Sequence, residues 1–165
     1  MSEVLARVLV GSLVVGAVGC GGEASSRPRL PAVHMQSGRC PVTRPVSAGD
    51  VPPALTGLAG SDAAAAFGKG GLWVLLPTAV EPNAVVRKGG YDVKVAWYLQ
   101  GAGDLRVAGT RIDGPGRLSY GSAYAVPGEA ARMQPSTLTI SVPGCYVVKA
   151  EHDGASITWV FRAIA

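Results

Sequence analysis

The 165 residues include 48% hydrophobic and 16% charged side chains at a mean hydropathy of +0.28, which suits one compact domain and excludes a largely disordered chain. The 23 Gly and 12 Pro follow no three-residue period, so a collagen-like rod is excluded and a turn-rich fold is favoured over a helical bundle. The formal net charge of +4 is unevenly placed, 0 over residues 1–19, +3 over 20–44 and +1 over 45–165, so the bulk of the chain is almost neutral and no nucleic-acid partner is expected.

Residues 1–19 carry one cation, Arg7, and then an apolar stretch of 11 residues from Val8 to Val18 that ends in Gly19-Cys20. A helix of that length covers roughly half of a bilayer's hydrocarbon core, so the stretch reads as the apolar region of an export signal and not as a permanent span. A buried core helix would also be apolar, but Gly11, Gly16 and the lack of a polar face count against it. Ala17-Val18-Gly19-Cys20 is similar to the lipobox of bacterial lipoproteins, in which cleavage before the Cys frees an amine and a thiol for fatty chains. Several chains give stable anchoring where one binds reversibly. Lipoboxes most often carry Leu in place of Ala17 and Ala or Ser in place of Val18, so a secreted protein without lipid is the alternative. Cys20 is therefore the expected lipidation site, and the mature chain is expected on the outer face of a bacterial membrane.

Residues 20–39 are rich in small, polar and Pro residues and read as a flexible tether. Arg27, Arg29, Arg39 and Arg44 could touch anionic head groups near an anchor; a solvated linker explains them equally well. Export implies an oxidising compartment. If Cys20 carries lipid, Cys40 and Cys145 are the one intramolecular pair left for a disulfide. A zinc site is a poor rival, because there is no C-x-x-C spacing and His34 and His152 lie far apart.

In chain order, a helix is expected only at Asp62–Phe67, with Ser61 or Asp62 as its N-cap. From Leu72 the dominant period is two, the mark of half-buried strands. Less regular strands are expected at Leu72–Leu76, Val85–Arg87 and Leu118–Ala125. Tyr91–Tyr98 places Val93, Val95 and Trp97 on one face. Leu105–Ile112 alternates until Asp113-Gly114-Pro115-Gly116 ends it with turn chemistry. Ser136–Val142 groups Leu138, Ile140 and Val142, then Pro143-Gly144 turns the chain into Cys145–Ala150. Ala155–Phe161 sets Ile157, Trp159 and Phe161 opposite Ser156 and Thr158, and Asp153-Gly154 before it predicts a tight hairpin. Residues 40–165 are thus expected to form an all-β, immunoglobulin-like antiparallel β-sandwich of seven or eight short strands. The Cys, Trp, Cys order of antibody domains is absent.

Several segments together resemble a family of exported bacterial proteins without assigned activity, many with lipoprotein signals, from high-GC bacteria. They are Cys40-Pro41-Val42-Thr43, Gly68-Lys69-Gly70-Gly71-Leu72-Trp73, Lys94-Val95-Ala96-Trp97-Tyr98, the run from Leu105 through Val107, Gly109 and Arg111-Ile112-Asp113, and Pro143-Gly144-Cys145-Tyr146. The resemblance implies export, a Cys40 to Cys145 pair and a β-rich fold, and it transfers no catalytic residue.

No G-x-S-x-G elbow, H-E-x-x-H, G-x-G-x-x-G or Walker lysine motif is present. Gly68-Lys69-Gly70-Gly71 and Gly101-Ala102-Gly103 lack the strand-then-helix context of a phosphate loop and read as turns. A bridged Cys40 and Cys145 leaves no thiol nucleophile, His152 beside its turn is expected to be exposed, and the acids single out no pair. Two places are candidate binding surfaces. Trp73 follows a glycine-rich segment, although the apolar run after it favours the core. Trp97 and Tyr98 are adjacent and must point to opposite faces of a strand, so one of them is expected to face outward or toward a neighbouring element. No cofactor or metal is expected. The sequence therefore suggests a membrane-anchored, non-catalytic binding or envelope-structural module, whose partner is an envelope protein, a polymer or a small ligand. An envelope hydrolase with an unfamiliar site and an accessory subunit of a transport or secretion complex are the alternatives.

Overall fold

The computed structural model describes residues 27–33, 35, 38–56, 65–76, 90–122 and 131–164. The expected signal at 1–19, Cys20 and the expected strand at 85–87 lie outside these residues. Within them the chain forms β1 (Ala65–Lys69), β2 (Leu72–Leu76), β3 (Tyr91–Leu99), β4 (Arg106–Arg111), β5 (Leu118–Ser122), β6 (Arg132–Ile140), β7 (Gly144–His152) and β8 (Ala155–Ala163). A 3-10 turn at Ala48–Asp50 and one helical turn, α1 (Pro53–Thr56), precede them.

The strands make two antiparallel sheets, ordered β1-β2-β3-β6-β5 and β4-β7-β8. Setting β1 aside, this is the order of a constant-type immunoglobulin sandwich, four strands over three, so the expected class is the observed one. β1 extends the β2 edge through a tight turn at Gly70-Gly71, where Gly70 takes a φ of +54° that a Cβ would oppose. The predicted hairpin between β7 and β8 is present, with Asp153 and Gly154 both at positive φ, 45° and 75°. Tyr146, early in β7, donates its hydroxyl to the Val142 carbonyl across 2.6 Å, the tyrosine corner of immunoglobulin-type sandwiches.

Period-two rows from both sheets fill the core. Phe67, Val74, Val93, Val95, Trp97, Leu138 and Ile140 meet Tyr146, Val148, Ile157, Trp159 and Phe161. Trp97 and Trp159 link the sheets edge to face, with ring centroids 5.8 Å apart, an arrangement that aromatic quadrupoles favour. The outer faces carry apolar residues as well. Ala66, Trp73, Leu75 and Tyr98 on the larger sheet lie with Val46, Val51 and Leu55, while Cys145, Val147 and Val160 on the smaller sheet lie with Val33, Met35 and Cys40. This explains why β2 is buried at every position instead of alternating.

Residues 40–46 cross between the sheet edges. The Thr43 N–H donates to the Val160 carbonyl at 2.9 Å, and the Val46 N–H to the Ala66 carbonyl at 2.9 Å. The Val160 N–H in turn donates to the Thr43 hydroxyl. Within the segment expected as a tether, Pro28 is buried and Val33 and Met35 pack on the smaller sheet.

The expected helix at Asp62–Phe67 is corrected where the structure describes it, since Ala65, Ala66 and Phe67 belong to β1. Ladder pairing with β2 and burial of Phe67 against Trp159 outweigh the helix preference of alanine.

Candidate functional site

The inward row of β6 changes character along its length. Ile140 and Leu138 belong to the apolar core, and the same alternation then places Ser136, Gln134 and Arg132 on the inner side. Their partners on β3 stay apolar, with Val95 opposite Ser136, Trp97 opposite Gln134 and Leu99 opposite Arg132. Gln134 is 8% and Ser136 3% exposed. Buried polar groups are costly unless hydrogen-bonded, and β5 supplies the partners.

Tyr120 and Ser122 on β5 pair with Leu138 and Ser136 and so share the inner face. The Gln134 amide nitrogen donates to the Tyr120 hydroxyl at 2.9 Å and to the Ser122 hydroxyl at 2.8 Å. Tyr120 and Ser136 share a hydrogen bond at 3.1 Å, and the Tyr120 ring stands edge-on to Trp97, centroids 6.3 Å apart. The polar row is held on one side by the core tryptophan and opens on the other into a cleft.

That cleft has a volume of about 540 Å³ and is lined by Gly103, Asp104, Leu105, Tyr120, Ser122, Arg132 and Gln134, a size in the range of small-ligand sites. Arg132 is anchored by donating from Nη2 to the Gly103 carbonyl, while its Nε is buried without a hydrogen-bond partner. Arg106 and Arg111, by contrast, are paired with Glu151 and Asp113. A second groove, lined by Arg27, Pro28, Leu30, Val107, Leu118 and Tyr120 among others, adjoins the cleft at Tyr120.

The expected aromatic surface is corrected. Trp97 is fully enclosed in the core, and Trp73 and Tyr98 are buried on the outer face of the larger sheet beneath Val51 and Leu55. Trp97 and Tyr98 do point to opposite faces, as adjacency in a strand requires, but the segment at 46–56 covers the outward one. Trp73 stands opposite Tyr98 and satisfies its indole N–H on the Gly70 carbonyl at 2.7 Å, and Gln100 donates to the Tyr98 hydroxyl at 3.2 Å.

His152 is also buried, 2% exposed, because β7 runs on to it and its inward row ends there, with Nε2 3.0 Å from the Gln100 carbonyl. Cys40 and Cys145 form a disulfide with Cα atoms 5.6 Å apart. Cys20 lies outside the described residues. The sequence reading missed Arg132, Gln134, Tyr120 and Ser122; extending the period of two backward from Leu138 was the signal that could have found the first two.

Asp113 at the end of β4 has a perturbed carboxyl. Partial burial pushes its pKa up, but hydrogen bonds from the Arg111 side chain and the Cys145 backbone N–H, together with the Arg111 charge, hold it below the ordinary aspartate value. Among the described residues no group of three or more His, Cys, Asp or Glu could hold a metal ion, and no helix is long and apolar enough to cross a membrane.

In comparison with known proteins, no family model matches the chain, and no curated protein or solved structure matches it significantly.

Proposed function

We propose that the chain is an exported lipoprotein of the bacterial envelope, anchored through an acylated Cys20, and that its sandwich is a non-catalytic binding module whose ligand enters the β5–β6 cleft. The observation that supports this reading is the polar row Arg132, Gln134 and Ser136 on the inner side of β6, opposite the apolar Leu99, Trp97 and Val95 of β3. Apolar side chains there would pack the sandwich at least as well, so a binding role accounts for keeping polar ones. The described lining residues offer donors, acceptors and one carboxylate, Asp104, with no His, Lys or Cys among them. The lining is suited to holding a ligand.

The geometry suits presentation near a membrane. Arg27 lies seven positions after Cys20, a span of about 25 Å at full extension, and Arg27 lines the groove that adjoins the cleft at Tyr120. Anchoring is tested by labelling with a fatty-acid analogue, which is expected to be lost in Cys20→Ala; undiminished labelling overturns it. Binding is tested by following the backbone amide resonances of the mature chain against a panel of sugars, amino acids and short peptides. Shifts are expected at Tyr120, Ser122, Arg132 and Gln134, and a panel that moves none of them overturns the reading.

A further inference from the structure

We infer that the β5–β6 cleft selects a monoanionic, hydroxyl-bearing carboxylate, the chemistry of a uronic acid, with Arg132 holding the carboxylate and the Gln134, Tyr120 and Ser122 set reading the hydroxyls. The inference rests on the reading of this cleft as a ligand site and adds the class of ligand.

The charge of the cleft carries the argument. A guanidinium stays protonated and offers five N–H donors in a fixed fork. In Arg132 one goes to the Gly103 carbonyl, and the Nε donor is buried with no partner. No described carboxylate pairs with Arg132, whereas Arg106, Arg111 and Lys149 each have one. A half-buried cation with no described counter-ion is costly, and a carboxylate is the anion whose two oxygens suit a guanidinium. The ligand thereby supplies the anion that the fold does not.

The number of charges narrows the class. Among the described lining residues Arg132 is the one cation and Asp104 the one carboxylate. One guanidinium balances one negative charge, while Asp104 repels a dianion such as phosphate more strongly than it repels a carboxylate. Asp104 is also an acceptor, as is the carbonyl oxygen of the Gln134 amide, and the Tyr120 and Ser122 hydroxyls both donate and accept. A ligand carrying hydroxyls beside its carboxylate uses all of these. A purely apolar acid would leave the Asp104 carboxylate facing hydrocarbon.

The test titrates the mature protein with D-glucuronate, D-glucose and inorganic phosphate, read by amide shifts at Tyr120, Ser122, Arg132 and Gln134. Glucuronate is expected to bind at least about tenfold tighter than either other probe, the scale of a charge-assisted hydrogen bond, and to weaken as salt is raised. Arg132→Gln is expected to remove that preference. Asp104→Asn, a change at an exposed position, is expected to bring phosphate affinity closer to that of glucuronate. The preference among the three probes is measured on the unaltered protein, so a poorly folding Arg132→Gln does not remove the test. Equal binding of glucose and glucuronate, or tighter binding of phosphate, overturns the carboxylate assignment while leaving the cleft as a binding site. Silence of all three probes, with shifts from another member of the wider panel, also overturns the assignment; silence of the whole panel overturns the binding reading itself.

Discussion

Gln134 stands directly opposite Trp97 across the β3–β6 ladder, so a hydrogen-bonding amide sits beside one of the two core tryptophans, and both are buried. The amide spends its two hydrogens on Tyr120 and Ser122. If the polar row exists for binding, its removal costs little stability. Gln134→Met keeps the volume and leaves Tyr120 bonded to Ser136, so unfolding free energy is expected to change by no more than about 1 kcal/mol while cleft binding is lost. Urea denaturation measures this, and a loss well beyond that figure would assign the row a structural role.

The Cys40–Cys145 disulfide closes a loop with a sequence separation of 105 residues. Chain entropy predicts a stabilisation of about 4.7 kcal/mol for a loop of this order. The double substitution to Ser is expected to lower the guanidinium midpoint accordingly and to expose the outer face of β7, where Cys145, Val147 and Val160 cluster with Val33 and Met35. An unchanged midpoint would show that the segment from Val33 to Cys40 is held by packing alone.

Tyr146 fixes the corner between β6 and β7 through the Val142 carbonyl, and its ring stacks on Phe161 with centroids 5.7 Å apart. Tyr146→Phe keeps the stacking and removes the hydrogen bond. The expected cost is that of one hydrogen bond, about 1 kcal/mol, seen as a lower melting temperature with unchanged cooperativity.

Asp113 makes stability depend on pH in a defined sense. Its carboxyl pKa is lowered in the fold, so the unfolded chain takes up the proton first as pH falls. The stabilisation is therefore complete above the ordinary carboxylate range and is lost as pH drops through the lowered folded value. Asp113→Asn is expected to be less stable than the unaltered protein at neutral pH, with the gap closing in acid. Denaturation midpoints across that range test this, and a gap independent of pH would remove the charge from the explanation.

The strand ladder was legible in the sequence because period two is a local property. Val93, Val95 and Trp97, or Ile157, Trp159 and Phe161, announce their face whatever they pack against, and Asp153-Gly154 defines its hairpin through backbone conformation alone. At Ala65, Ala66 and Phe67 the local signal points the other way, because alanine carries a helix preference that only pairing with β2 overrules.

By itself the sequence determined the all-β class, most strand positions and the two cysteines available for a bridge once Cys20 is set aside. Tertiary structure alone decided which faces are free. A strand shows two sides to a sequence reading, and nothing local states that residues 46–56 cover Trp73 and Tyr98 or that Val33 and Met35 cover β7. It also decided the site. Arg132 and Gln134 on β6 meet Tyr120 and Ser122 on β5 because the two strands pair in one particular register, and the cleft also takes Asp104 from the loop before β4. Burial and register belong to chain segments that meet in space, and for that reason the candidate site emerged only from the folded molecule.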